Sequence, residues 1–260
     1  MNKLGIIAGM GPMAGINLQK KIIEKTEVSK DQEHIPFLLY NLPQIPDRTE
    51  AILYGGEPPL IHLIYAAKAL EKSNVTYILI ACNTAHFYID EIQKHIKSKI
   101  INMLDVVWEH IELHYNSNCK VGLLATDGVT KSGLYERTSN KAELIYPSKK
   151  VQNDLVMKAI YGINGIKAGH LNSRNKKMLI SASNSLIEKE VDIIVCGCSE
   201  ISLVLDSSDI SVPMIDPIDL LAQKAIELVK FEVTLDNKKP NYKNILCHSK
   251  KEKSLLVCVK

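Results

Sequence analysis

The sequence predicts an α/β protein with two Rossmann-like domains, whose parallel sheets are related by a pseudo-two-fold axis and face a shared cleft. Short apolar, β-rich runs alternate with segments of helical periodicity, which is typical of parallel sheets made from right-handed βαβ units. The order of these segments occurs twice along the chain, and a shift of 116 residues superposes the apolar runs that precede Cys82 and Cys198. A cysteine directly follows the equivalent apolar run in each copy, Cys82 in the first and Cys198 in the second.

The elements of the first copy follow from apolar runs and helical spacing. Leu60, Leu63 and Leu70 recur at the spacing of one helix face, which predicts an amphipathic helix at 59–73. The runs of β-branched and apolar residues are too short for helices and predict strands. The predicted strands lie at 4–8, 35–40, 75–81 and 101–105, with a further helix at 106–113.

The second copy repeats this arrangement. Its predicted strands lie at 121–125, 191–197 and 212–216, and its helices at 176–190 and 218–229. We divide the chain in the polar stretch at 115–118, giving an N-terminal domain of residues 1–115 plus the helix at about 216–230, and a C-terminal domain of residues 116–215. Residues 231–260 form a basic tail outside the repeat, with short strands predicted at 245–247 and 255–259.

Composition limits the partners, the membrane association and the compartment that we expect for this chain. The net charge is +3, but the tail alone carries +4, so the remaining chain is at about −1 and gives no electrostatic reason for a nucleic-acid partner. No uncharged apolar stretch approaches a membrane span, and the N-terminus leads directly into a strand without a secretory signal. Six irregularly spaced cysteines do not resemble a disulfide framework, which favours reduced thiols in the cytoplasm.

A glycine turn at residues 9–14 lies between the first strand and a helix, and formally matches the G-x-G-x-x-A pattern of dinucleotide sites. Such a site also requires an acidic residue at the end of the second strand, and Asp31 lies before that strand. The turn is therefore interpreted either as a nicotinamide site of an oxidoreductase or, preferably, as a structural turn or carboxylate-binding turn.

The paired cysteines allow several interpretations. Cys82 and His86 are four residues apart, and Cys196 and Cys198 form a C-x-C pattern, so a zinc site is one alternative, although the usual C-x₂₋₄-C pairs are missing. A Cys82/His86 nucleophile pair is another, but it leaves Cys198 without a role. Packing of two buried thiols is a third, and it does not explain the polar residues that follow both. The remaining interpretation is a reaction that needs two matched chemical groups, and this interpretation gives a role to both cysteines.

Two cations are candidates for binding a carboxylate. The chain has only three arginines, and Arg48 lies in a loop predicted at 41–49 that two prolines make rigid. Its guanidinium would bind a carboxylate through two hydrogen bonds. The alternative interpretation is that Arg48 forms a surface ion pair. Lys167 lies in the glycine-rich segment 161–169, and its position alone predicts only a solvated side chain.

Several motifs, in this order, resemble those of the aspartate/glutamate racemase family over about residues 1–230. They are Gly9-Met10-Gly11-Pro12, Asp31-Gln32-Glu33-His34-Ile35-Pro36, Pro46-Asp47-Arg48-Thr49, Cys82-Asn83-Thr84-Ala85-His86 and Gly197-Cys198-Ser199-Glu200. The resemblance implies a cofactor-independent amino-acid racemase, usually a homodimer, with its site in the interdomain cleft. Broad-specificity racemases and cysteine-dependent isomerases or decarboxylases are near alternatives, and a non-catalytic amino-acid-binding protein is a more distant one.

The resemblance also implies a role for individual residues. Cys82 and Cys198 match the two acid/base residues, with Cys198 serving the L-face and Cys82 the D-face of the substrate. Arg48 and Lys167 match positions that bind the side-chain carboxylate, and Glu200 matches an acidic residue near the substrate's amino group. The remaining matches line the pocket or orient the substrate: Met10, Gly11, Asn83, Thr84, Thr126 and Ser199, where Ser199 replaces the usual threonine. No metal ligand is implied.

Racemisation gives these residue types a chemical reason. A thiolate on one side of Cα and a thiol on the other can remove and deliver a proton, and exchange roles in the reverse direction. The thiolate requires stabilisation, which we expect from a helix N-terminus beside each cysteine. Because Arg48 and Lys167 match positions that bind a side-chain carboxylate, the resemblance implies an acidic amino acid as the substrate, with aspartate preferred over glutamate.

Overall fold

The computed structural model describes residues 3–137 and 142–235, which form two four-stranded parallel sheets with helices packed on them. This confirms the α/β class and the duplication. The sheets have the same strand order, β2-β1-β3-β4 in the first and β6-β5-β7-β8 in the second. The predicted tail strands at 245–247 and 255–259 lie outside the described residues.

The first sheet contains β1 (Leu4–Ala8), β2 (Phe37–Asn41), β3 (Tyr77–Ile80) and β4 (Lys99–Ile100). Its inner strands β1 and β3 are fully buried, as apolar runs covered on both faces should be. The helices of this half are α1 (Pro12–Lys25), α2 (Arg48–Tyr54), α3 (Leu60–Lys72), α4 (Ile89–Gln93) and α5 (Met103–His114).

The second sheet contains β5 (Lys120–Ala125), β6 (Glu143–Ile145), β7 (Ile193–Gly197) and β8 (Met214–Ile215). The helices of this half are α6 (Asp127–Thr130), α7 (Lys149–Val151), α8 (Lys158–Tyr161) and α9 (Ser173–Ile187), and a π-helical segment at Gln152–Met157 joins α7 to α8. The last helix, α10 (Pro217–Leu235), follows β8 in the chain but packs on the first sheet. Along the described residues, no helix combines the length and apolarity needed to cross a bilayer.

Two predicted boundaries were wrong. The strand expected at 101–105 is instead Lys99–Ile100, and α5 already begins at Met103. The cause is Asn102, whose side chain accepts a hydrogen bond from Leu104 N and caps the helix. Arg48 does not lie in a loop, because Asp47 accepts from Glu50 N and starts α2 at Arg48. The short edge strand β6 was not predicted.

Helices α5 and α10 connect the two halves. Met103 and Val106 of α5 lie in the core of the first sheet, whereas Val107 and Trp108 lie in the core of the second. Helix α10 places its apolar face, from Ile218 to Val229, in the core of the first sheet. The division of the chain into domains at 115–118 stays a prediction.

Candidate active site

The two cysteines occupy equivalent positions at the carboxyl ends of β3 and β7. Cys82 lies two residues beyond β3, and Cys198 directly follows β7. Both thiols are buried, at 6% and 4% exposure. Each is followed by a short 3₁₀ helix, Thr84–Tyr88 and Ile201–Leu203. The segments that we expected to begin as α-helices beside the thiols therefore begin as 3₁₀ turns, the first of which leads directly into α4.

The residues that follow the cysteines bring the two halves together. Asn83 Nδ2 donates to Ser199 Oγ at 3.4 Å, and these two residues hold equivalent places in the two copies. Thr84 and Thr126 share a hydrogen bond of 3.1 Å between their hydroxyls. Tyr135 OH donates to Asn83 Oδ1 at 2.7 Å. The predicted polar residues thus form one buried network across the contact between the sheets.

Glu200 is the centre of a second network. Its Oε1 accepts from Gly11 N at 2.8 Å and from Lys167 Nζ at 3.0 Å, and its Oε2 accepts from the Cys198 thiol at 3.0 Å. Burial acts to raise the pKa of this carboxyl, but Lys167, the thiol and the Gly11 amide hold it below its usual range. Glu200 is therefore an ionised carboxylate inside the protein.

Lys167 lies in the site, and the prediction of a solvated side chain from its position was wrong. Its Nζ donates to Met10 O at 3.2 Å as well as to Glu200, and lies 5.5 Å from the centre of the Tyr161 ring. Burial acts most strongly and lowers the pKa of Lys167, but Glu200, Cys198 and Cys82 together outweigh it and the pKa is raised. The ammonium ion and the Glu200 carboxylate thus neutralise one another.

Arg48 is buried and is held mainly by the backbone. Nη1 donates to Ile45 O at 3.2 Å and Pro46 O at 2.9 Å, and Nη2 donates to Met10 O at 3.2 Å. Its Nε makes no hydrogen bond to the part of the chain that the structure describes. Burial acts most strongly and lowers the pKa of the guanidinium, but the neighbouring Cys82, Asp47 and Tyr161 together raise it. Arg48 is therefore a fixed cation beside Cys82, with one buried donor unused.

His86 has a structural contact instead of a thiol partner. Met103 N donates to Nε2 at 3.2 Å, so the proton of the ring is on Nδ1, which lies 2.9 Å from Cys82 O. Burial lowers the pKa of His86 to about 4. The ring is neutral and both nitrogens are occupied, so it neither activates Cys82 nor offers a lone pair to zinc. No group of three metal-ligating side chains occurs within 3–137 and 142–235.

The neutral state of His86 makes folding dependent on pH. Because its pKa is lower in the folded protein than the unfolded value of 6.5, its contribution is complete above that value and is lost as the pH falls towards about 4. We expect the wild type to lose roughly 2–3 kcal/mol between pH 7 and 4.5 through this residue. His86→Gln should lose less over that range in urea titrations, whereas the exposed His170→Gln should behave as the wild type. Parallel curves for all three proteins would contradict this.

The glycine turn belongs to the same site and not to a dinucleotide fingerprint. Gly11 N is bound to Glu200, and Met10 O accepts from both cations. Asp31 lies in a short 3₁₀ helix before β2, which ends at Asn41, so no acidic residue ends the second strand. The arrangement gives no support to the nicotinamide interpretation.

Two tyrosines of the site were missed by the sequence interpretation. Tyr161 OH donates to Asp47 Oδ2 at 2.8 Å and to Thr49 Oγ1 at 3.3 Å, which links α8 to the start of α2. Tyr135 is fully buried and supports Asn83. The glycines that follow Tyr161 were the only sequence signal for that residue, and the sequence offered no signal for Tyr135. The reason is that each tyrosine binds residues that are far from it in the sequence.

The chain matches the family model described as Asp/Glu/hydantoin racemase over residues 7–225. Among curated proteins, it is 27% identical over 235 residues to the broad specificity amino-acid racemase RacX of Bacillus subtilis (strain 168), covering 86% of this chain and 96% of that protein.

Solved structures give the same result. The fold is similar to the aspartate racemase of Picrophilus torridus, with a TM-score of 0.74 and 27% identity, over 94% of this chain and 97% of the other. It is also similar to an aspartate racemase homologue of Pyrococcus horikoshii OT3, with a TM-score of 0.69 and 25% identity, over 88% of this chain and 100% of the other.

Proposed function

The chain belongs to the Asp/Glu/hydantoin racemase family and is an isomerase of the racemase type, and from this we propose that it inverts acidic amino acids, aspartate first, without pyridoxal phosphate. The observation that carries the proposal is the contact between Asn83 and Ser199, the equivalent neighbours of the two cysteines. This contact supports an arrangement in which the two thiols face one substrate from opposite sides.

Racemisation removes a proton from one face of Cα and delivers a proton to the opposite face. In one direction, a Cys82 thiolate takes the Cα proton and becomes a thiol, while the Cys198 thiol gives its proton to the opposite face of Cα and becomes a thiolate. The reverse reaction exchanges these roles, so neither direction needs an oxidant or a second substrate. Arg48 lies beside Cys82 and supports negative charge on that side.

The other predicted residues are assigned to binding. Deprotonation places negative charge on the α-carboxylate, and fixed donors stabilise it best. We assign the network of Asn83, Thr84 and Thr126 to this task, together with Ser199. Lys167 and the free Nε of Arg48 would bind the side-chain carboxylate, and Glu200 the amino group. Met10 and Gly11 line the pocket.

A racemase of broad specificity is the second candidate. It is favoured by the state of the two cations, because Arg48 spends its Nη donors on three backbone carbonyls and Lys167 is paired with Glu200. Neither is left as a free cation that would demand an acidic side chain. The similarity to a broad specificity racemase supports the same alternative.

Exchange in D₂O tests both candidates. Incubation of the purified protein with L-aspartate should produce D-aspartate with deuterium at Cα, detected by NMR and chiral chromatography. Exchange with a panel of neutral amino acids at rates similar to aspartate would replace the acidic assignment with the broad one. Conversion of aspartate to a product in which a solvent deuteron replaces a lost carboxylate would indicate a decarboxylase, and conversion to a constitutional isomer would indicate another isomerase. Binding without exchange would indicate a non-catalytic protein.

The proposal includes the assembly and location that the resemblance implies, a homodimer in the cytoplasm. The described cysteines, Cys82, Cys119, Cys196 and Cys198, are free and buried, which suits a reducing compartment. Sedimentation of the purified protein tests the assembly, since a dimer has twice the chain mass of 29.0 kDa.

A further inference from the structure

The two thiols have opposite electrostatic surroundings. The Cys198 thiol donates to Glu200 Oε2 at 3.0 Å, which requires a proton on sulfur because Glu200 is ionised. Burial first, and then the Glu200 carboxylate, raise the pKa of Cys198 well above its usual value, although Lys167 acts in the opposite direction. The charged or titratable groups that face Cys198 are Glu200, Lys167, Tyr135 and Tyr161. Lys167, which also faces Cys82, and the backbone amide of Glu200 favour a thiolate at Cys198, but the Glu200 carboxylate already neutralises the charge of Lys167.

Cys82 lies on the other side of the same network, beside a cation. The Arg48 guanidinium interacts with the Cys82 side chain, and three backbone carbonyls hold it in place. A cation that is fixed in this way costs no reorganisation when a thiolate forms beside it. The site is therefore built to keep one proton on one thiol and the negative charge beside the other.

We propose that Glu200 is a positioning residue that keeps the shared proton on Cys198 in the ligand-free enzyme, so that Cys82 is the resting base and Cys198 the resting acid. This rests on the proposed function only for its catalytic consequence. Glu200 acts in this way through the Cys198 thiol, in addition to the binding of the amino group assigned above.

The catalytic consequence is an unequal readiness for the two enantiomers. The ligand-free enzyme accepts productively the enantiomer whose Cα proton faces Cys82, which is the D-enantiomer under the face assignment above. Since the equilibrium constant of a racemisation is 1, kcat/KM must be the same in both directions. The unequal protonation of the two thiols therefore changes kcat and KM in the same proportion. We expect a lower KM for D-aspartate than for L-aspartate.

Alkylation of each thiol as a function of pH tests the proton assignment without measuring activity. Iodoacetamide is small and neutral and reacts with thiolates, and mass spectrometry resolves the modified cysteines. In the wild type, alkylation of Cys198 should need a higher pH than alkylation of Cys82, because burial and the Glu200 carboxylate raise the pKa of Cys198. Removing the carboxylate in Glu200→Gln should lower the midpoint for Cys198 by about one pH unit or more, a tenfold gain of thiolate. Glu200→Asp, whose shorter side chain keeps the charge, should lower it less.

A second carboxylate beside a thiol provides the matched control. Cys119 is also buried, and burial together with Asp192 raises its pKa to about 11. Asp192→Asn should therefore change the midpoint for Cys119 and leave that for Cys198 unchanged. The proposal is overturned if Cys198 reacts before Cys82 in the wild type, or if a folded Glu200→Gln leaves the Cys198 midpoint in place.

The wild-type measurement decides the question even if Glu200→Gln does not fold. Failure of the racemisation proposal is separate from failure of this one, because an absence of exchange in D₂O leaves the alkylation profile interpretable. Conversely, an active racemase with a Cys198 midpoint insensitive to Glu200 would refute only the proton assignment.

Discussion

Replacement of either cysteine by serine, Cys82→Ser or Cys198→Ser, should lower the rate of racemisation by at least about 10³-fold, the upper part of the range for loss of an acid or base. A serine hydroxyl has almost the same size as a thiol but is far less acidic, so it neither forms the base nor readily releases a proton. Chiral chromatography of the product measures the loss, and circular dichroism tests that both variants fold.

The two serine variants should also differ from a completely inactive protein. Each keeps one thiol, so each is expected to exchange the Cα proton of one enantiomer in D₂O without producing the other, with opposite preferences in the two variants. The control is Cys119→Ser, which changes a buried thiol beside Asp192, outside the site, and should leave the rate unchanged. Racemisation by either variant within tenfold of the wild type would refute the two-thiol mechanism.

Replacement of Lys167 by methionine should lower both the stability of the fold and the rate of the reaction. The ammonium group is the ion partner of Glu200 at 3.0 Å, and the side chains of the pair are 18% and 5% exposed. Removal of the cation leaves a buried carboxylate without a counter-ion, which typically costs about 3–5 kcal/mol in the free energy of unfolding. Urea denaturation measures this loss, and the rate with aspartate should fall by roughly 10²-fold as a carboxylate contact is lost.

The double variant Lys167→Met/Glu200→Gln separates stability from catalysis. It removes both charges, so we expect most of the unfolding free energy to return while the rate stays low. Lys94→Met is the matched control, because Lys94 pairs with Glu91 at 2.6 Å and both side chains are exposed, at 67% and 43%, so its loss should cost less than about 1 kcal/mol. Equal losses for Lys167→Met and Lys94→Met would contradict the buried ion pair, and full activity in the double variant would remove Lys167 from the site.

Much of the fold could be predicted because its signals are local. The central strands are continuous apolar runs, and their repetition after 116 residues predicted two equivalent sheets. Prediction failed where a single side chain decides a boundary. Asn102 caps α5 within a segment that otherwise matches a strand, and Asp47 caps α2 within a segment that otherwise matches a loop. Such caps act through one hydrogen bond, which periodicity does not detect.

The site could be predicted only in part. The cysteines and the polar residues after them stand out because they occur twice at strand ends. The contacts of Lys167 could not be predicted from its neighbours in the sequence, because its partners Met10 and Glu200 lie 157 and 33 residues away. Tyr161 likewise meets Asp47 only after the halves pack together.

The sequence by itself determined the duplicated scaffold, the placing of a thiol at the end of one central strand in each half, and the set of residue types around them. Only the tertiary structure decided how the charges are distributed, because this depends on distances between side chains from both halves. It showed that Arg48 is fixed by backbone carbonyls beside Cys82, and that Glu200 accepts from Cys198 while neutralising Lys167. Two cysteines that are equivalent in sequence are therefore unequal in the folded protein, since a carboxylate contacts one and a cation the other.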